Sequence, residues 1–187
     1  MNWLLFTLVS WVLFGLELGL RDALKIGPTG IAPSFVMPLA VLVAASAPRA
    51  QAWWACLTLG LITDLLNVVE LKDQGEAVGV IGPYALGYLL GGHFVMTLRG
   101  MIFRRNPFAI AFLTLLASVV CQSVVVAAYT LRGFYDPIVW DATAQLMQRM
   151  GSALYTGGGA IIVSLALLLL SGMLGLSAGA PRRFAAR

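Results

Sequence analysis

Charged residues are scarce in this sequence. Asp, Glu, Lys and Arg make up 11% of the 187 residues, whereas soluble domains carry about 25%. So few charges cannot cover a water-facing surface, and 60% of the residues are hydrophobic. The composition therefore predicts a helical membrane protein in one domain, residues 1–187, without a separate soluble domain.

Motifs for catalysis or metal binding are also missing. The sequence has no Gly-x-Ser-x-Gly, P-loop or His-Glu-x-x-His motif. Its two cysteines, Cys56 and Cys121, lie in separate apolar runs without C-x-x-C spacing. We interpret its one histidine, His93, as hydrogen-bonded between helices rather than as a ligand or proton carrier. We therefore expect no enzyme activity, no cofactor and no metal site.

Long apolar runs are plentiful. Each of six runs can cross a hydrocarbon core of about 30 Å at 1.5 Å per residue. They cover residues 3–20, 30–47, 52–69, 78–98, 107–131 and 152–176. The predicted fold is all-α, a bundle of six transmembrane helices.

The segment 137–150 differs from these runs because its apolar residues fall on one side of a helix, with Asp136 and Pro137 as its start. We interpret it as an amphipathic helix at the membrane interface. The alternative is an extension of the last span. Gly151 and the triplet Gly157–Gly159 argue against one straight helix through this region.

The net charge of +4 does not indicate a nucleic-acid surface, because the basic residues lie at the ends of apolar runs. We interpret them as topology signals and lipid-headgroup contacts. With both termini in the cytoplasm, seven of the twelve basic residues lie inside. The seven are Arg49, Arg99, Arg104, Arg105, Arg182, Arg183 and Arg187. This bias predicts an N-in, C-in orientation.

Ionisable residues inside a span are costly and are functional candidates. Asp64 lies about 8 Å from the outer end of its span, Tyr84 about 9 Å and Gln122 about 13 Å. Asp64 could be a polar pin held by Thr63, Asn67, Tyr84 or Gln122, and burial would then favour a neutral carboxyl group. In that case Asn should replace it well. It could equally belong to a binding site.

Glu17 and several glycines have simpler interpretations. Glu17 stands four residues before Arg21, a favourable order for an ion pair on a helix, and a site is the alternative. Small residues let membrane helices approach closely. The candidate packing or partner contacts are Gly15, Gly19, Gly60, Gly87 and Gly91.

A series of short motifs follows in order along residues 33–131. It begins with Pro33, Arg49 of a short turn, and "LGLITDLL" with Gly60 and Asp64. It continues through Gly82 and "GPYALGYLL" to the basic loop "LRGMIFRR", which contains Arg99, Arg104 and Arg105. In this order and spacing, residues 33–131 resemble the MreD family of bacterial rod-shape-determining proteins. The acidic loop at 70–78 is longer than the family usually has, and its role stays open.

The resemblance implies a non-enzymatic scaffold of the cell-elongation machinery in the bacterial cytoplasmic membrane. Such a protein binds MreC, and through it meets MreB, RodA and the elongation transpeptidase. The family is also similar in architecture to the substrate-binding subunits of energy-coupling-factor vitamin transporters. A transporter subunit of this kind is the alternative function, and it requires a polar, aromatic-lined pocket.

Overall fold

The computed structural model describes residues 1–27, 30–70, 77–100, 106–136, 138 and 140–176. These ranges contain the helices α1 (Trp3–Leu20), α2 (Val36–Ser46), α3 (Arg49–Leu66), α4 (Pro83–Leu98), α5 (Pro107–Arg132) and α6 (Ala142–Leu170). A short antiparallel hairpin of β1 (Val68–Glu70) and β2 (Ala77–Gly79) lies between α3 and α4, where the sequence places the acidic loop. Residues 71–76 of that loop lie outside the described residues. Apart from this hairpin, the elements of the described residues are helices, and the prediction of an all-α fold is confirmed.

Three helices, α1, α5 and α6, are long and apolar enough to cross a membrane. The helix within the predicted span 30–47 is shorter: α2 has 11 residues, which reach about 16 Å. Residues 32–34 are not helical, and Pro33 lies among them. The number of six membrane spans therefore stays a prediction.

The short helix α2 is the centre of the bundle. Its residues from Val36 to Ala45 are all buried, and it packs against each of the other five helices. A helix that is apolar on every side is expected to be buried on every side. Hydropathy alone cannot separate such a core helix from one that faces lipid.

Glycines let α4 lie close to its two neighbours. A Cβ atom at Gly60 would lie 2.6 Å from the Cα of Ala85, and one at Gly87 would lie 2.7 Å from Sγ of Cys121. At Gly91 it would lie 3.0 Å from a backbone oxygen of α5. These three candidate glycines are therefore internal packing positions, at the α3–α4 and α4–α5 contacts.

The helix α6 is continuous from Ala142 to Leu170, and the side chain of Asp141 caps it by accepting from the backbone N–H groups of Thr143 and Ala144. The prediction of a separate interfacial helix at 137–150 is therefore wrong. Pro137 and Val139, part of that segment, lie outside the described residues.

Packing against neighbouring elements explains two of the glycines within α6. A Cβ atom at Gly151 would lie 2.9 Å from the side chain of Ile31, and one at Gly157 would lie 2.7 Å from Leu115. Glycine in a helix costs about 1 kcal/mol relative to alanine. Close contact with neighbouring elements offsets that cost here, so these glycines are contact positions within one long helix.

Several contacts place the start of α1, the turn between α2 and α3, and the end of α6 at one end of the bundle. The amino group of Met1 donates to Oε1 of Gln51 (3.2 Å), and the N–H of Asn2 donates to the carbonyl of Leu174 (3.0 Å). Nη1 of Arg99 donates to the carbonyl of Ala47 (2.9 Å) at the same end. The other residues of the candidate basic loop, Arg104 and Arg105, lie outside the described residues, as does 177–187.

Candidate functional site

Asp64 is fully buried in the last turns of α3, and its carboxylate caps the start of α4. Oδ2 accepts from the backbone N–H groups of Gly82 (2.9 Å) and Ala85 (2.9 Å), and Oδ1 accepts from that of Tyr84 (2.8 Å). The first N–H groups of a helix have no partner within the helix and carry partial positive charge. A carboxylate satisfies these three donors without any proton of its own.

The hydrogen-bond partners of Asp64 are not the side chains that the sequence predicted. The hydroxyl of Thr63 donates to the carbonyl of Leu59, and the amide of Asn67 donates to the carbonyl of Thr63. Of the expected partners only Tyr84 bonds to Asp64, and it does so through its backbone. Gly82 has φ +128°, a conformation that favours glycine, and this places its N–H toward α3.

Glu17 of α1 caps the central helix α2 in the same manner. Its Oε2 accepts from the hydroxyl of Ser34 (2.9 Å) and from the backbone N–H groups of Phe35 (2.9 Å) and Val36 (3.1 Å). Within the described ranges no ion pair joins Glu17 to Arg21, so the predicted pair is wrong. The first N–H groups of α2 have no partner within the helix, and the carboxylate of Glu17 accepts from them instead of pairing with Arg21.

This geometry predicts different outcomes for two replacements of Glu17. All three hydrogen bonds end on a single oxygen, so Glu17→Gln can keep them with its amide oxygen. We expect Gln to cost only the charge near the helix N-terminus, about 0.3–2 kcal/mol. Glu17→Leu leaves buried donors unpaired, at about 1–3 kcal/mol each. Thermal unfolding of both variants in detergent measures the difference. Equal damage by Gln and Leu would show that the charge of Glu17 matters more than its hydrogen bonds.

The site that joins two of the sequence candidates is built around Arg149 in the second turn of α6. Nη1 of Arg149 donates to the hydroxyl of Tyr84 (2.6 Å) and to Oε1 of Gln122 (3.0 Å). Its guanidinium carbon lies 5.6 Å from the ring centroids of Tyr84 and Trp140 and 6.0 Å from that of Tyr129. Rings at this distance stabilise a cation. Tyr84 and Gln122 therefore share one partner, while Asp64 stands apart from it.

Arg149 lines a cavity of about 160 Å³. The cavity lies toward the end of the bundle opposite Met1, among the end of α1, the starts of α2 and α4, and the first turns of α6. Its polar lining includes Glu17, Arg21, Ser118 and Gln122. Asp64 does not line it. The structure thus separates a capping carboxylate in the α3–α4 contact from a polar cavity beside it.

Sequence reasoning missed Arg149 because it assigned residues 137–150 to the membrane interface. One signal was present. The helical neighbours of Arg149 at three and four residues are Gln145, Leu146, Ser152 and Ala153, and none is acidic. A basic residue in a helix without an acid at this spacing has to find its partner on another helix or in a ligand.

His93 also lies elsewhere than predicted. Its side chain is exposed on α4 and packs against the ring of Trp53, with 5.4 Å between the centroids. The expectation of a histidine hydrogen-bonded between helices is therefore wrong. Cys56 and Cys121 are buried free thiols, as expected for small apolar side chains.

Comparison of the chain with protein-family models, curated proteins and solved structures gives no match.

Proposed function

We propose that this protein is a non-enzymatic membrane scaffold of the bacterial cell-elongation machinery. It binds an MreC-like membrane protein, and through that partner it supports rod shape and lateral peptidoglycan synthesis together with MreB, RodA and the elongation transpeptidase. It lies in the cytoplasmic membrane with both termini inside. The ordered resemblance across residues 33–131 supports this proposal.

The observation that carries the proposal is a pair of glycines that the bundle does not use. A Cβ atom at Gly15 or Gly19 would have no atom within 4 Å, in contrast to Gly60, Gly87 and Gly91. The same helix exposes large apolar side chains such as Leu8 and Trp11. Small residues four apart on a membrane helix are suited to close contact with another helix. We assign this face of α1 to the partner helix.

Replacement of Gly15 tests that assignment. Gly15→Leu should reduce recovery of the MreC-like partner in detergent by about tenfold, the equivalent of about 1.4 kcal/mol, because the added side chain holds the partner helix away. The melting temperature of the isolated protein should not fall, since nothing packs on this position within the chain. Co-purification with quantification of the partner measures the effect.

Gly158→Leu on α6 is the matched control, because a Cβ atom there also has no atom within 4 Å. It should leave partner recovery unchanged. Equal recovery by Gly15→Leu and wild type would remove α1 as the docking face.

Depletion in the host tests the biological role. Elongated cells should become round and misplace wall synthesis, as expected when a scaffold of wall elongation is missing. Microscopy with a fluorescent wall precursor measures both effects.

A second candidate function is a substrate-binding subunit of an energy-coupling-factor type transporter. The polar, aromatic-flanked cavity at Arg149 favours it, since such a pocket is what a small-molecule site requires. Under this alternative, depletion leaves cell shape intact and abolishes uptake of a particular vitamin.

A further inference from the structure

Two residues that line the cavity each carry a buried polar atom without a partner among the described residues. The atoms are Oγ of Ser118 and Nε of Arg149. Ser118 is only 4% exposed, and both residues line the cavity. Buried polar groups in proteins are nearly always hydrogen-bonded, so two such atoms in residues that line one cavity need a common explanation.

Arg149 forms no ion pair within 4 Å with an acid of the described residues. Within the part of the chain that the structure describes, the only ion pair within 4 Å joins Arg132 and Asp136 at the surface. Glu17 is the one acid of the cavity lining, and its Oε2 is engaged at the start of α2. Arg21 adds a second cation to the lining. Two cations and one acid therefore line the cavity.

Several N–H donors of the Arg149 guanidinium also have no hydrogen-bond partner among the described residues. Hydrogen bonds to described residues use Nη1 alone, although the group carries five N–H donors. Nε and Nη2 form the edge that a carboxylate or phosphate accepts with two parallel hydrogen bonds. The rings of Tyr84, Tyr129 and Trp140 and the amide of Gln122 hold the guanidinium in place.

The volume of the cavity limits the size of the ligand, or of the part of a ligand, that fits inside it. A cavity of about 150 Å³ holds a molecule of benzene size, and this one measures about 160 Å³. Sites for larger ligands are usually 300 Å³ or more in size. The occupant is therefore a small molecule, or the anionic group of a larger one.

We infer that the cavity at Arg149 binds a small anionic group, a carboxylate or a phosphate. The N–H groups at Nε and Nη2 of Arg149 donate to its oxygens, and the hydroxyl of Ser118 donates a further hydrogen bond. This inference goes beyond the scaffold proposal and does not depend on it. Its residues lie inside the bundle, whereas the proposed docking face lies on the outside of α1.

Melting temperatures in a non-ionic maltoside detergent at constant ionic strength test the inference. The probes are benzoate, inorganic phosphate and the neutral benzamide. At least one of the two anions should raise the melting temperature saturably, because a ligand that binds only the folded state stabilises it. Benzamide should bind about tenfold or more weakly than benzoate, since it lacks the charge.

Two variants locate the effect. Arg149→Gln should weaken anion binding by about tenfold or more, while the matched control Arg132→Gln, at a surface ion pair, should bind as wild type. Ser118→Ala covers the case in which Arg149→Gln does not fold. It removes a hydroxyl that has no partner in the described chain, so its melting temperature without ligand should not fall, yet it should bind the anion more weakly.

A short-chain phosphatidylglycerol distinguishes the source of the anionic group. If the site serves a lipid headgroup, this lipid saturates at lower concentration than either free anion, and Arg149→Gln loses that advantage. If it serves a free small molecule, a free anion saturates first. The inference is overturned if none of the anions acts saturably, or if Arg149→Gln and Ser118→Ala respond to them as wild type does.

Discussion

Asp64→Leu should prevent the protein from accumulating in folded form or lower its stability by about 3 kcal/mol or more. Leucine is close to aspartate in length but accepts no hydrogen bond, so three N–H groups at the start of α4, those of Tyr84 and Ala85 buried and that of Gly82 partly buried, lose their partner. Each unpaired buried group costs about 1–3 kcal/mol. Against a total stability of about 5–15 kcal/mol, this is a large fraction. Yield of monodisperse protein and thermal unfolding in detergent measure it.

The stability of Asp64→Asn should lie between those of wild type and Asp64→Leu. From sequence alone, Asn is expected to replace this residue well, but the structure revises that expectation. The three donors are divided between two oxygens, and an amide offers only one oxygen. Its NH₂ group would face an N–H donor. Stability should therefore fall in the order wild type, Asp64→Asn, Asp64→Leu. At Glu17 a single oxygen accepts every hydrogen bond, so Glu17→Gln should stay close to wild type.

Asp22→Leu is the control for loss of an acidic charge, since Asp22 is exposed just after α1. It should melt close to wild type. Asp64→Asn melting at the wild-type temperature would mean that the bond from the N–H of Tyr84 contributes little.

The sequence predicted the outer helices well. The apolar run 3–20 coincides with α1, and 107–131 differs from α5 by one residue. Asn106 and Pro107 explain the sharp start of α5, since the Asn side chain accepts from the N–H of Phe108 and proline suits the first helical position. Long apolar runs with clear caps fix helix bounds because both signals are local.

The interior of the bundle was harder to predict. Periodicity cannot show that α2 is enclosed by protein, because lipid and protein interiors are equally apolar. It also could not show that Gly151 and Gly157 pack against Ile31 and Leu115, and so it divided α6 at these residues. Both the burial of α2 and the continuity of α6 depend on contacts between residues that are distant in the sequence.

The site was predicted in part. Depth along the helices grouped Asp64, Tyr84 and Gln122; Tyr84 and Gln122 both contact Arg149, whereas Asp64 does not line the cavity. The partners of Asp64 are backbone N–H groups, which residue types do not reveal. Arg149 was not recognised because residues 137–150 were interpreted as an amphipathic helix lying at the membrane interface.

Gly60→Val should be nearly as damaging as Asp64→Leu. Even the Cβ of alanine at this position would lie 2.6 Å from the Cα of Ala85, 2.8 Å from the carbonyl oxygen of Tyr84 and 3.0 Å from the N of Ala85. These are backbone atoms, so no side-chain rotation relieves the contact and α3 and α4 must separate. Overpacking typically costs about 1–3 kcal/mol, and valine adds two methyl groups to the clash.

Gly158→Ala is the matched control, and it should raise the melting temperature, whereas Gly60→Ala should lower it. A Cβ atom at that position has no atom within 4 Å, and alanine is favoured over glycine in a helix by about 1 kcal/mol. Thermal unfolding in detergent of the two alanine variants, Gly60→Ala and Gly158→Ala, therefore separates the packing effect from helix propensity. A stable Gly60→Ala would show that the α3–α4 contact can relax.

Gly60 and Asp64 are four residues apart, so they lie on the same face of α3, and both act on the start of α4. The glycine permits the close approach, and the carboxylate then reaches the N–H groups of Gly82, Tyr84 and Ala85. If they form one contact, separating the helices already lengthens the hydrogen bonds. The effects of Gly60→Ala and Asp64→Asn should then be less than additive, by about 0.5 kcal/mol or more in a double-mutant cycle. Full additivity would mean that packing and capping stabilise α4 independently, and the glycine–aspartate spacing would lose its physical explanation.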